Sequence, residues 1–230
     1  MPLMSSNTCV VIPVHNEGSV IGDVVKSVLE KGHICIVVDD GSKDETYLVA
    51  SKAGAIVYRH KINRGKGAAV LTGIEAARKL DASIIVTMDG DGQHDAKDLD
   101  KLIEPIKNGT CEVTLGSRIL GDSCPEFPIL RLIANYIGNV VTFVLYRIWV
   151  SDSQSGFRAY SAEVAKLLEQ AGDQYEFDSE VLRIVSHYKY RYIEVPISVY
   201  YTEYSLKKVQ RQGLVNGVRT FWRLLWNMVH

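Results

Sequence analysis

Ser83-Ile84-Ile85-Val86-Thr87-Met88-Asp89-Gly90-Asp91-Gly92-Gln93-His94 is the stretch on which the fold turns. Residues 83–88 read as a strand of apolar and β-branched residues, and two acids separated by one glycine follow it directly. A short strand this apolar belongs inside a sheet covered on both faces. The same grammar recurs upstream. Thr8–Val14 reads as a strand leaving through Pro13-Val14-His15-Asn16-Glu17, and Ile34–Val38 as a strand leaving through Asp39-Asp40-Gly41-Ser42. Ala55–Arg59 is a third strand, followed by Asn63-Arg64-Gly65-Lys66-Gly67. Helical spacing fills the intervals at Ser19–Lys31, Asp44–Ala53, Gly67–Leu80 and Ala96–Asn108, ahead of a strand at Cys111–Gly116. Strands alternating with helices define an α/β chain with a mostly parallel sheet and helices on both faces. Ligands in such sheets sit beyond the carboxyl ends of the strands, and every chemically rich segment lies at that edge.

The second half is less regular. An amphipathic helix within 129–150 is followed by a turn-rich stretch, Ser151–Tyr160, and helices at Ala162–Gln170 and Glu176–His187. A strand at Tyr190–Val199 and a final helix at Gln210–Met228 complete the chain. No repeat or long linker separates independent domains. The expected organisation is a catalytic domain over 1–209 and a C-terminal amphipathic helix over 210–230. Of 230 residues, 47% are hydrophobic and 23% charged, with a net charge of −1, which fits a packed core and gives no overall basic excess for nucleic acid. Cys9, Cys35, Cys111 and Cys124 form no CxxC pair and read as reduced and structural in a cytosolic protein. Residues 1–8 lack the charged-then-apolar pattern of a signal peptide. The apolar stretch 129–150 is about as long as a bilayer is thick. Arg131, Asn135, Asn139 and Thr142 nevertheless make a polar stripe at helical spacing. The stripe disfavours a membrane span and leaves a helix packed on the domain or lying in an interface.

Asp89 and Asp91 form an anionic pair that needs compensation, and a divalent ion bound through oxygen, Mg²⁺ or Mn²⁺, supplies it together with substrate phosphates. Gln93 offers a further neutral oxygen, and Gly90 lets a large ligand approach the backbone. Asp39 is placed to accept a hydrogen bond from a nucleobase or ribose, and Glu17 to reach the ribose, although Asp-Gly-Ser is also a common turn. The Asn63–Gly67 loop opens a helix, where N–H groups and the helix dipole favour an anion beside Lys66. It lacks the Walker A spacing, and a solvated basic turn is the alternative. Asp178 reads either as a general base or as a helix-capping acid, and Asp152 shares that ambiguity. Along 214–229, Arg219 and Arg223 lie opposite Phe221, Trp222 and Trp226, as in an interfacial helix. Lys207, Lys208 and Arg211 precede it, which favours anionic headgroups.

Taken together, these segments resemble family 2 glycosyltransferases of the GT-A fold, and among them the polyprenyl (dolichyl) phosphate sugar synthases. The carrying residues are Ile12–Glu17, Val38–Asp44, Asn63–Gly67, Met88–His94, Gly116-Ser117-Arg118 and Asp152-Ser153-Gln154-Ser155-Gly156-Phe157-Arg158. The resemblance implies a Rossmann-like GT-A sheet and an inverting, metal-dependent transfer of a sugar to a lipid phosphate. The nucleotide-sugar donor it implies is UDP-glucose, UDP-N-acetylglucosamine or GDP-mannose. It assigns Pro13, Val14, Glu17, Asp39, Lys66, Asp89, Gly90 and Lys207 to the nucleotide-sugar, and Asp89, Asp91 and Gln93 to Mg²⁺ or Mn²⁺. It assigns Ser117, Arg118 and Arg131 to the acceptor phosphate, and counts Asp91, Arg118, Arg131 and Asp178 as catalytic. Tyr204, Ser205 and Lys207 would close over the donor, on a segment that departs from the family's Gly-x-Ser-Lys pattern. The expected location is cytoplasmic, peripherally on the cytoplasmic face of a membrane, with oligomerisation open. Transfer to a saccharide hydroxyl, a nucleotidyltransferase and a non-catalytic sugar-nucleotide-binding subunit are the competing readings.

Overall fold

The computed structural model describes residues 7–120, 129–171 and 177–200. The expected helix at 210–228, with Tyr204, Ser205 and Lys207 ahead of it, lies outside them. The elements run β1 (Thr8–Val14), α1 (Ile21–Glu30), β2 (Ile34–Asp39), α2 (Thr46–Lys52), β3 (Ile56–Arg59), α3 (Lys66–Lys79) and β4 (Ile84–Thr87). A 3₁₀ turn (Ala96–Asp98) leads into α4 (Leu99–Lys107), then β5 (Val113–Ser117), α5 (Ile129–Tyr146), β6 (Arg158–Ser161), α6 (Ala162–Ala171), α7 (Phe177–Tyr188) and β7 (Tyr192–Pro196).

The strands form one sheet in the order β3-β2-β1-β4-β6-β5-β7. The first four positions are parallel. From β1 the chain winds outward through β2 to β3, then crosses back to lay β4 on the other side of β1. Connections therefore leave β1 and β4 in opposite directions, and a crevice opens beyond their carboxyl ends. Alternation along each strand feeds two cores. Val10 and Ile12 of β1 pack with Cys35, Val37 and Val86 beneath α1 and α4. Val11 packs on the other face with Ile36, Val38 and Ile85 beneath α3, α6 and α7. Cys9, Cys35 and Cys111 are free and buried, and burial pushes the thiols of Cys9 and Cys35 up to about 11 and about 12, as befits structural cysteines.

The structure corrects the sequence reading in one place and resolves it in another. The turn-rich stretch Ser151–Tyr160 ends in a strand, β6, inserted antiparallel between β4 and β5. Its sequence, Arg-Ala-Tyr-Ser, starts with a charge that is 1% exposed, which hides it from pattern reading. The polar stripe of α5 faces inward: Asn135, Asn139 and Thr142 are buried, while Ile133, Tyr136, Ile137 and Val144 are exposed. Three of the four polar atoms of these two buried amides have partners, and Asn135 Oδ1 has none among the described residues. Asn135 and Asn139 donate to the Ser151 carbonyl at 3.0 and 2.7 Å, and Asn139 Oδ1 accepts from the Ser153 N–H at 3.0 Å. The helix is thus pinned to the 151–153 turn by its polar side, with much of its apolar side outward.

Asn139→Leu should therefore destabilise the protein, because it strands a buried N–H that burial of a leucine does not satisfy. The expected loss is about 1–3 kcal/mol by urea unfolding. An unchanged midpoint would show that the stripe does not carry the docking.

Candidate active site

β4 delivers Asp89 and Asp91 to the crevice because it ends at Thr87 and the chain then turns through Gly90 and Gly92. Gly90 lies hard against β1, where an added Cβ would sit 2.3 Å from Val14 Cγ1, so only glycine lets the turn pack there. Lys66, the first residue of α3, puts Nζ 2.6 Å from Asp89 Oδ1 and 4.0 Å from Asp178 Oδ2. His94 Nε2 lies 3.6 Å from Asp89 Oδ2. Burial alone would raise the Asp89 carboxyl, but Lys66 and His94 outweigh it and hold the group well below the usual carboxylate range. Asp91 goes the other way: burial and the neighbouring Asp89 charge raise its carboxyl. Burial opposes the charge on Lys66, and Asp89 and Asp178 more than restore it, leaving the ammonium pKa above its ordinary value.

One ammonium thus serves Asp89, while no ion pair among the described residues serves Asp91. That donor set fits a divalent ion, which takes oxygen ligands and shares its shell with phosphates. Among the described residues, no cluster of three or more His, Cys, Asp or Glu side chains is arranged to hold a metal. An ion between the two acids would complete its shell from other oxygens. Gln93 lies on Asp91 itself, its N–H donating to Oδ1 at 3.1 Å and its Nε2 to Oδ2 at 2.7 Å.

The Asp39-Asp40 pair divides its work. Asp39 is fully buried and accepts from the Ser42 N–H at 2.8 Å. Arg59 Nε comes within 3.1 Å of Asp39 Oδ2 without a hydrogen bond, so that oxygen is buried and has no hydrogen-bond partner among the described residues. Asp40 instead accepts from the N–H groups of Arg64 and Gly65 at 2.9 and 2.8 Å, with His60 Nδ1 at 2.7 Å. The N–H groups that the sequence reading assigns to a bound anion therefore meet an internal one. The loop's contribution to the crevice is Lys66. Pro13, Val14 and Glu17 lie at the exit of β1, with Glu17 buried and its N–H donating to Thr46 Oγ1 at 2.9 Å.

On the far side, Arg118 follows β5 and is held in a two-point fork by Asp152, Nε to Oδ2 at 2.7 Å and Nη2 to Oδ1 at 2.8 Å. Ser117 is fully buried, with its hydroxyl 2.6 Å from that of Ser151. Arg131 lies in the first turn of α5; its side chain, like Lys207, is outside the description. Asp178, in the first turn of α7, stands between Lys66 and Arg158, whose Nη2 is 3.8 Å from Oδ1. Three residues have a structural hold on the site that the sequence reading did not give them. Arg158 spends its guanidinium on the carbonyls of Ser153, Ser155 and Asp178 at 2.7–2.8 Å, tying the 151–157 turn to α7. Asp152 orients Arg118. Gly156 lets the turn pass over the Lys66–Asp89 pair, since a Cβ there would meet Nζ at 2.6 Å. The available signal was a charged residue at each end of a turn otherwise polar or glycine apart from Phe157.

Residues 9–174 match the sequence profile of Glycosyl transferase family 2. The chain is 36% identical over 236 residues to the UDP-N-acetylglucosamine–dolichyl-phosphate N-acetylglucosaminyltransferase of Methanococcus voltae, covering 94% of this chain and 93% of that one. It is 28% identical over 225 residues to the polyprenol monophosphomannose synthase of Mycolicibacterium smegmatis, covering 91% and 83%. Among solved structures it resembles glucosyl-3-phosphoglycerate synthase from Mycobacterium tuberculosis, with a TM-score of 0.62, 18% identity, and coverage of 96% and 79%. That protein has also been crystallised with Mn²⁺ and UDP-glucose. The likeness is one of fold, and the sheet with its helix layers is the GT-A arrangement.

Asp40→Ala should release the 63–67 loop without disturbing the sheet. Amide exchange at Arg64 and Gly65 is expected to quicken about tenfold or more, with β1 and β4 unchanged. Equal protection in both proteins would contradict the anchoring role.

Proposed function

The chain belongs to glycosyltransferase family 2, and on that premise we propose that it moves a sugar from a UDP-sugar to a polyprenyl phosphate at a membrane surface. The observation that carries this reading is the pair Asp89 and Asp91, short of positive charge at the switch point of the sheet. A divalent ion held there by Asp89 and Asp91 supplies charge neutralisation for the departing nucleoside diphosphate. The chain's own residues do the rest. Asp39 is the acceptor for the base, its buried oxygen being uncovered by a small movement of the Arg59 side chain, and Lys66 stands by for the donor's diphosphate. A phosphate acceptor needs no base, because its second pKa is about 6 and it is largely dianionic near neutrality. Catalysis then rests on positioning and electrostatics. Arg118 suits the acceptor phosphate because a guanidinium fork already aligned by Asp152 loses little freedom on binding. Asp178, flanked by Lys66 and Arg158, sets the field around the ammonium rather than abstracting a proton.

A lipid acceptor is supported by what lies beside Arg118. A groove of about 480 Å³ has apolar walls from Ile119, Leu132, Ile133, Tyr136 and Trp149 and polar lining from Ser151. Ile119 is the residue after Arg118, and Ser151 the residue before Asp152, so the groove adjoins the phosphate end in the chain itself. The outward face of α5, with Tyr136 61% and Val144 55% exposed, extends the apolar surface. No helix among the described residues is long and apolar enough to cross a membrane. The Methanococcus voltae relative makes UDP-N-acetylglucosamine the first donor to test.

With UDP-N-acetylglucosamine, polyprenyl phosphate and Mn²⁺, the wild type should release UDP and form a glycolipid. Asp89→Asn and Asp91→Asn should each lose about 100-fold or more in kcat while keeping the wild-type circular dichroism. Full activity in either variant, or transfer to free saccharides and not to the lipid, would contradict the reading. In vesicle flotation, the wild type should rise with liposomes and Ile137→Glu/Val144→Glu should stay in the dense fraction. Equal flotation would remove α5 as the contact face.

A further inference from the structure

We propose that Lys66 is a resident counter-cation of Asp89, displaced when a divalent ion enters and handed to the donor's diphosphate, so that metal and donor bind cooperatively. This rests on the metal reading of Asp89 and Asp91 above.

The geometry is that of an occupied place. Lys66 Nζ sits 2.6 Å from Asp89 Oδ1, and His94 Nε2 stands 3.6 Å from Oδ2, so each oxygen of the carboxylate already has a nitrogen neighbour. The turn at Gly156 closes over the pair, with Asp89 Oδ1 and Oδ2 each 2.9 Å from where a Cβ would be. A metal ion bound to the same carboxylate at about 2.1 Å would lie close to the ammonium, and like charges repel strongly at such range. Lys66 has somewhere to go. Asp178 Oδ2 is 4.0 Å from Nζ, and the lysine side chain is 44% exposed. Its backbone does not need to move, because Gly65 and Arg64 are fastened to Asp40. A four-carbon side chain turning about a fixed helix start is a small rearrangement, and a diphosphate brought in with the metal gives the ammonium a better partner than Asp178 alone.

Two consequences follow. Metal alone binds weakly, since it must first remove Lys66 from Asp89. Donor raises metal affinity, and by linkage metal raises donor affinity by the same factor.

The test is a Mn²⁺ titration read by the electron paramagnetic resonance of free Mn²⁺, with and without UDP. For the wild type, UDP should tighten Mn²⁺ about tenfold or more. Lys66→Met should bind Mn²⁺ alone about tenfold more tightly than the wild type, and UDP should then add less than about threefold. Lys61→Gln, which removes the same charge from the exposed loop, should behave as the wild type. Lys66→Gln serves as the second variant, and thermal melting shows that each protein compared is folded. Unchanged Mn²⁺ affinity in the Lys66 variants, coupling equal to that of the wild type, or equal tightening in Lys61→Gln would overturn the proposal while leaving the metal site standing. Failure of the wild type to bind Mn²⁺ even with UDP would instead overturn the metal reading, and this inference with it.

Discussion

Two carboxylates at the tip of a buried strand repel each other and resist desolvation, and the surroundings of Asp89 and Asp91 are organised by that constraint. Lys66 compensates one of them. For Lys66 to be there, α3 must start in the right place, and Asp40 sets that start through the N–H groups of Arg64 and Gly65. For the Lys66–Asp89 pair to fit beneath the turn, the chain across from it must carry no side chain, and Gly156 carries none. For that turn to hold its course, Arg158 is buried and satisfied by three carbonyls, one of them from α7. A charge placed in the middle of a sheet is costly unless paired and hydrogen-bonded. Its presence is explained by the two parts it joins: the 151–157 turn above the carboxylates and the helix bearing Asp178.

The same turn links Asp89 to Arg118, the donor and acceptor sides of the proposed reaction. Its first residues, Ser151 to Ser153, receive the buried amides of α5, and Asp152 receives the guanidinium of Arg118. Spending its polar stripe inward leaves α5 with an apolar exterior, the reverse of an ordinary surface helix. A protein that exposes such a surface beside an arginine fork is suited to a ligand with one anionic end and one hydrocarbon end. Polyprenyl phosphate has that form, and the family to which the chain belongs transfers sugars.

Much of the fold was legible because its first half is locally consistent. Thr8–Val14 and the helix read from Gly67, which the structure opens one residue earlier at Lys66, follow directly from apolar periodicity and glycine placement, and so does the position of Asp89 at a strand end. What escaped notice was held together by contacts between residues distant in sequence. β6 has only four residues and begins with Arg158, which no propensity would place in a sheet; its pairing with Thr87 and Leu115 creates its environment. The direction of the α5 stripe depends on the carbonyl of Ser151, which no helical wheel contains. The split between Asp39 and Asp40 is likewise invisible in the dipeptide. It appears only when the 63–67 loop returns beside β2 and its N–H groups need an acceptor.

The central claim is that Asp89 and Asp91 hold one divalent ion. Anomalous diffraction at the manganese edge, from crystals grown with Mn²⁺ and UDP, addresses it most directly. The expected result is a peak about 2.1 Å from an oxygen of each carboxylate, with Lys66 Nζ withdrawn from Asp89. A map with no peak between the two acids, and Lys66 still on Asp89 in the presence of bound UDP, would contradict it.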